Sequence, residues 1–310
     1  MMTNIKLAGY QPNSSLLSQT LKLFSDFIQK QLPDSISIKI TNNIMDLGYA
    51  PGALPDAIKS GDFDIGYIAS SYFAKPIPEL YIFDLPFLFR NRIQAYGLVD
   101  GPFTGLVASQ FEKKTHLKLL NIWEYGYRHF TNDSHPIRKP TDCQNLPIRT
   151  LLNELHPIMF KSLGFNPVTL QVDEFLKQLK AGKMIVQENA LTNYYNFGIH
   201  EFHHHITLSG HLLGMAILIC KRELFENWPR EVQEVVTAAA GHATLEQRKI
   251  AAIEEEVVLQ NFSPDNYKIH KLTDEEKSLF ENALITPTSP YREKIGKTAL
   301  GMLNEFKFPS

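Results

Sequence analysis

Apolar residues recur along this chain with two different periods, and the alternation between them outlines the fold. Leu17, Leu21, Phe24 and Ile28 lie four, three and four residues apart, one face of an amphipathic helix. A Gln-Pro-Asn-Ser turn precedes it, with Asn13 or Ser14 as the expected cap. Residues 5–10 before the turn have the look of a strand. Residues 35–40 (SISIKI) alternate polar and apolar, the two-residue period of a strand. Residues 54–61 form a short helix closed by Gly61, and residues 63–70 a third, mostly apolar strand. Strand, helix, strand, helix, strand is the order of a parallel sheet with right-handed crossovers.

Prolines at 76, 78 and 86 punctuate a looser region, followed by helices over 93–99 and 103–114. A buried strand over 117–123 leads into the stretch NIWEYGYRHFTND (121–133) and then LPIRTL (146–151), which reads as strand, tight turn, strand, loop, strand. A second alternating series follows: strand 147–151, helix 157–163, strand 168–171, helix 174–180, strand 184–187. Residues 212–220 (LLGMAILIC) read as a core strand, about half the length needed to span a bilayer. Trp228-Pro229 opens a long helix reaching residue 259, on the order of 45 Å at 1.5 Å per residue, which is longer than one lobe and so expected to brace two. Helices over 274–283 and 291–306 complete the chain. The fold class expected is α/β with two similar lobes, 1–124 plus 212–254 forming lobe I and 125–211 plus 255–310 forming lobe II. Several crossings with no low-complexity linker imply a hinge. No sequence repeat relates the lobes.

Length and composition narrow the picture only a little. At 310 residues, 44% hydrophobic and 21% charged, the chain can bury a substantial core. A net charge of -2 without a basic run makes nucleic acid an unexpected partner. The opening MMTNIKLAGY carries no leader pattern, so the expectation is a cytoplasmic protein or one whose leader has been removed. Cys143 and Cys220 make neither a metal knuckle nor a disulfide framework, and one bridge between them stays open.

The candidate chemistry begins with Arg128 and Arg149, each in the middle of an apolar, strand-like run. A guanidinium cannot lose its proton to escape a dry site, and its planar fork matches a carboxylate bidentately. Each arginine therefore needs an anion, either a ligand or one of Glu124, Glu154 and Glu188. Asn189 is a ligand contact or a strand-end cap on spacing alone. Glu188 is expected to orient an arginine rather than act as a base. His200, His203 and His204 would share a helical face, but no cysteine or carboxylate pattern completes a four-ligand set, so no metal is expected there and the run is placed on an exposed stretch. His211 points into a cleft or is a satisfied buried histidine. Phosphate loop, nucleophile elbow, HExxH and paired cysteines are all missing from the sequence, so no cofactor or catalytic residue is assigned.

Six segments in order carry a resemblance: IKSGDFDIGYIASSYF (58–73), ELYIFDLPFLF (79–89), YGYRHFTN (125–132), IRKPTDCQNLPIRT (137–150), VQENALTNYY (186–195) and ITLSGH (206–211). Through them the chain resembles the DctP-like extracytoplasmic solute-binding proteins of TRAP transporters, over nearly its whole length. The resemblance implies a periplasmic-binding-protein-like fold, two α/β lobes around a central ligand cleft with hinge strands and a long bracing helix. It implies that Arg149 makes the bidentate bridge to a ligand carboxylate, with Arg128 as second cation and Asn189 bonding the same group. Ser70 and Tyr72 fall where the first lobe supplies specificity contacts, as do Tyr10 and Gln11. Ile185, Val186 and Ala190 depart from the Asp-Gly and Pro found around the QEN motif in many members, and Val172 replaces an aromatic ring found in some. The function implied is a monomeric periplasmic receptor that delivers a small organic acid to membrane permease subunits. The alternatives are a receptor that presents its ligand to a membrane sensor kinase, and an enzyme that uses Glu188 or His211 for acid–base chemistry.

Overall fold

The computed structural model describes residues 2–183 and 185–305. The chain divides into two compact units: Met1–Ser70, Thr104–Tyr125 and Met215–Glu254 in the first, and Ser71–Phe103, Gly126–Gly214 and Glu255–Ser310 in the second. Residues 71–103, placed with the first lobe on sequence grounds, pack in the second unit.

In the first unit β1 (Thr3–Ala8) pairs in parallel with β2 (Ile36–Thr41) along its whole length. The helices between its strands are α1 (Leu16–Gln31) and α2 (Leu54–Ser60), and β1 also pairs in parallel with β3 (Ile65–Ala69). The face of α1 predicted from its spacing is fully buried, each such side chain contributing about 1.5–3 kcal/mol. Its cap is Ser15, one residue beyond the expected pair, accepting from Ser18 N–H at 3.2 Å. Gly61 ends α2 with φ 90, a left-handed conformation that costs glycine nothing. Then come α3 (Arg92–Asp100) and α4 (Pro102–Lys114).

The second unit repeats the pattern with β5 (Pro147–Thr150), α5 (Leu155–Ser162), β6 (Asn166–Thr169), α6 (Val172–Lys180) and β7 (Val186–Ala190), β5 pairing in parallel with both β6 and β7. The strand expected from Met184 starts at Val186; Met184 lies outside the described residues. A core of Phe130, Phe160, Phe165, Ile148, Phe280 and Leu284 packs against this sheet.

Two long strands run from one unit into the other. The turn expected within 121–133 is not made: β4 (Leu117–Asn132) continues for 16 residues through Gly126, whose φ of 101 bends the strand without ending it. The short helix α7 (Leu191–Asn196) precedes β8 (His205–Lys221), in which the ITLSGH segment and the apolar run form one 17-residue strand. β3 pairs antiparallel with the end of β8, and β7 antiparallel with the end of β4. After α8 (Arg222–Asn227), the long helix α9 (Arg230–Leu259) spans 30 residues. β9 (Lys268–Lys271) pairs in parallel with β8.

The two tail helices differ in extent from expectation. α10 (Asp274–Ile295) runs through Pro287 and Pro290, and α11 (Lys297–Glu305) follows; Phe306, the expected end, lies outside the described residues. Phe280, Leu284, Thr288, Tyr291 and Ile295 form one buried face across both prolines. That burial outweighs the roughly 3 kcal/mol that an interior proline costs a helix. Among the described residues no helix is long and apolar enough to cross a membrane.

Candidate functional site

In a sheet of parallel strands, ligands bind beyond the carboxyl ends, and the predicted residues gather at those ends within each unit. In the second unit Arg149 stands in β5 opposite Gln187 of β7, two residues before Asn189, while Arg128 of β4 is paired with Ala190. In the first unit Tyr10 and Gln11 follow β1, and Ser70 follows β3, its parallel neighbour.

Arg149 is 2% exposed. Its Nε donates to the Leu170 carbonyl at 2.8 Å, and its Cζ lies 5.9 Å from the centroid of the Phe175 ring. A neutral carbonyl and an aromatic face thus help to orient the guanidinium. Tyr72 is half-buried nearby: burial pushes its hydroxyl pKa up, while the charges of Arg149 and Arg128 pull it down. Both cations are therefore within electrostatic reach of that hydroxyl.

Arg128 is held differently. Its Nε donates to Glu188 Oε2 at 2.5 Å and its Nη2 to Oε1 at 2.6 Å, with a further bond from Nη2 to the Glu188 carbonyl at 2.9 Å. Of the three glutamates weighed as structural partners, Glu188 is the one that takes it. Glu154 pairs instead with Lys75 and Lys294. The reading of Glu188 as an arginine-orienting residue agrees with this geometry. Burial pushes the Glu188 carboxyl up, but the Arg128 charge and the hydrogen bonds from His211 and Arg128 outweigh it, holding Glu188 well below the usual carboxylate range. A carboxylate so stabilised is a poor proton acceptor.

Asn189 fills the capping role weighed for it. Its Oδ1 accepts from Ala190 N–H at 3.0 Å and Asn193 Nδ2 at 3.1 Å, a local cap at the start of α7, and lies 3.4 Å from Arg128 Nη1. Its Nδ2 makes no hydrogen bond among the described residues, which leaves two donors beside the arginines.

Behind the arginines runs a buried polar chain that sequence reasoning missed. Ser71 Oγ donates to Asp84 Oδ1 at 2.6 Å, Asn153 Nδ2 to Asp84 Oδ2 at 3.0 Å, and His156 Nε2 stands 2.9 Å from Asp84 Oδ1. His211 Nε2 is 3.3 Å from Glu188 Oε2, and its ring stacks on Phe130 at 4.5 Å. His211 is therefore a buried histidine, its Nδ1 2.8 Å from Ser209 Oγ. Asp84 sits in the DLPFLF segment, so a signal existed; nothing in the local sequence marks His156 or Asn153.

At the first unit's edge, the Tyr10 and Tyr67 rings lie 5.6 Å apart and Gln11 is 1% exposed. Gly9 permits this: a Cβ there would lie 2.5 Å from the Tyr67 ring. The Ser70 hydroxyl is buried without a hydrogen-bond partner among the described residues, an unmet donor and acceptor. The histidine run is not the exposed stretch expected. His203 is 2% exposed and bonds Thr131 at 3.0 Å, while His204 pairs with Asp133. No three potential ligands converge as a metal would require among the described residues. Cys143 and Cys220 are both buried and free.

Comparison with known proteins identifies the family. Residues 7–294 match the DctP family, the bacterial extracellular solute-binding proteins of family 7. The chain belongs to that family. Among curated relatives of this DctP-family protein, the 2,3-diketo-L-gulonate-binding periplasmic protein of Escherichia coli is 26% identical over 263 residues, 85% of this chain and 79% of the relative. Among solved structures, the sugar-acid-binding protein of Advenella mimigardefordensis in complex with galactonate superposes with a TM-score of 0.92 at 25% identity, covering 98% of each chain. A TRAP periplasmic solute-binding protein of Sulfurospirillum deleyianum with bound succinate gives 0.91 at 26% identity, covering 99% of this chain and all of that one. The DctP-family resemblance and the α/β fold expected from sequence are thereby established.

Proposed function

We propose that this DctP-family protein is a periplasmic solute receptor that binds the carboxylate of a small organic acid at Arg149 and delivers it to the membrane permease subunits of a TRAP-type transporter. The observation that carries this reading is the placement of Arg149: a buried, permanently charged fork, oriented by a carbonyl and a ring, at the carboxyl edge of parallel strands. The Asn189 Nδ2 donors beside it suit the same carboxylate. Tyr72, half-buried within reach of both cations, is assigned a polar contact to the ligand. Arg128, locked on Glu188, contributes positive potential. Ser70, Tyr10 and Gln11 are assigned as contacts from the first unit. Galactonate and succinate, bound by the two solved relatives, and the diketo-gulonate named for the curated one are all carboxylates, which supports an acid as ligand.

The acid is captured and released unchanged, by a monomer. Glu188 is held too far below the usual carboxylate range to serve as a base, and burial lowers the pKa of His211, which makes it a weaker one. A thermal-shift screen across an organic-acid library tests the proposal, because a ligand that binds only the native state raises its melting temperature. At least one carboxylate is expected to raise the melting temperature of the wild type and to leave Arg149→Ala unmoved. A hit that shifts both proteins equally would refute the clamp.

A further inference from the structure

A cavity of about 510 Å³ lies within the second unit, within the 300–1,000 Å³ range of small-molecule sites. It is separate from the clamp. Side chains alternate between the faces of a strand, so Tyr127 and His129, which line the cavity, point away from the face of β4 that presents Arg128. Leu208, Ser209 and Gly210 of β8 and Glu255 and Leu259 at the end of α9 form further walls.

Three features mark it as a built site. First, one wall is aromatic and apolar, with Phe87 and Phe89 beside Leu191, Leu208 and Leu259. Phe87 is held at φ 56, a conformation that a bulky side chain rarely adopts, by an N–H bond to the His211 carbonyl at 2.7 Å. Second, His129 is 7% exposed and accepts the Gly210 N–H at Nδ1 (3.0 Å), which puts its proton on Nε2. That N–H makes no hydrogen bond among the described residues. Third, cations outnumber carboxylates on the lining: Arg90, Arg92, Lys271 and Lys277 against Glu255 and Glu256, with Arg90 paired to Glu281 so that the two lysines carry the excess. Glu255 is already taken, accepting Tyr127 N–H at 2.7 Å and pairing with Arg92 at 3.1 Å. Lys271 forms no ion pair among the described residues, and Lys277 comes no nearer than 3.9 Å to Asp274.

We infer that this cavity is a second binding site, for a small aromatic carboxylate, whose ring packs against Phe87 and Leu208 and whose carboxylate faces Lys271 and Lys277, with His129 Nε2–H as the buried donor. An uncharged aromatic of the same shape keeps the apolar contact but leaves the lysines unused, so it binds less well. A dicarboxylate without a ring leaves the apolar wall unfilled.

Isothermal titration with 2-naphthoate as probe, against neutral 2-naphthalenemethanol, decides the matter. Saturable binding of 2-naphthoate is expected, retained within about twofold in Arg149→Ala and weakened about tenfold or more in Lys271→Glu/Lys277→Glu. Leu208→Trp, which fills the cavity, is expected to remove it. Because Lys271 is exposed, the lysine variant folds whatever becomes of the leucine one, and thermal melting checks both. Absence of wild-type binding, loss of binding in Arg149→Ala, equal affinity for the neutral alcohol, or indifference to the lysine change would each overturn the assignment.

Discussion

Arg128 and Glu188 meet as a buried bidentate ion pair, two nitrogens on two oxygens at 2.5 and 2.6 Å, in strands that lie side by side. One of two arginines that read alike in sequence is thus committed to a carboxylate of the protein. Breaking such a pair from one side leaves a buried charge uncompensated, which costs about 3–5 kcal/mol. Glu188→Gln is therefore expected to lower the unfolding free energy by about that much in urea titration. Replacing both partners, Arg128→Met with Glu188→Leu, should cost far less than the two single changes summed. Simple additivity would show that the pair is not coupled.

Stability should fall as the solution is acidified from neutrality, and two buried histidines give the window. Burial, reinforced by the positive charges around it, lowers His129 from 6.5 to about 3, and burial lowers His203 to about 4. Below pH 6.5 the unfolded chain takes up protons that the folded chain refuses, so each depressed pKa destabilises the fold as pH drops toward its native value. By pH 5 the loss is about 2 kcal/mol for each histidine. Glu188 adds to this only below the usual carboxylate range, where its unfolded form protonates first. Urea midpoints between pH 7 and 4 read the slope, and His203→Gln should flatten it; a slope unchanged by that substitution would contradict the assignment.

Arg149→Lys keeps the charge but not the fork. A lysine ammonium offers a point charge on a flexible stem and cannot donate along two parallel lines. Affinity for the acid found by thermal shift should fall about tenfold or more, close to the loss in Arg149→Ala. Calorimetry showing full affinity would mean that charge alone holds the ligand.

Gly126→Ala tests the bend in β4. The residue sits at φ 101, and a Cβ there would lie 3.0 Å from Glu255 Oε1, the oxygen that accepts the neighbouring Tyr127 N–H. The substitution should cost about 1–3 kcal/mol in chemical denaturation. No change would mean that the strand can straighten at that point.

The sequence by itself determined the alternation of strands and helices, because the period of apolar residues is a local property and each period suits one backbone geometry. It also marked Arg128, Arg149 and Asn189, since a charged or amide group within an apolar run stands out. Only tertiary structure decided what each of them touches. Glu188 lies 60 residues from Arg128 in sequence, and Leu170 lies 21 from Arg149. Continuous strands through Gly126 and Gly210, and a helix through Pro287 and Pro290, were equally beyond local reading. Packing supplies the free energy that overrides a local turn or break signal there, and packing depends on residues that come together only when the chain folds.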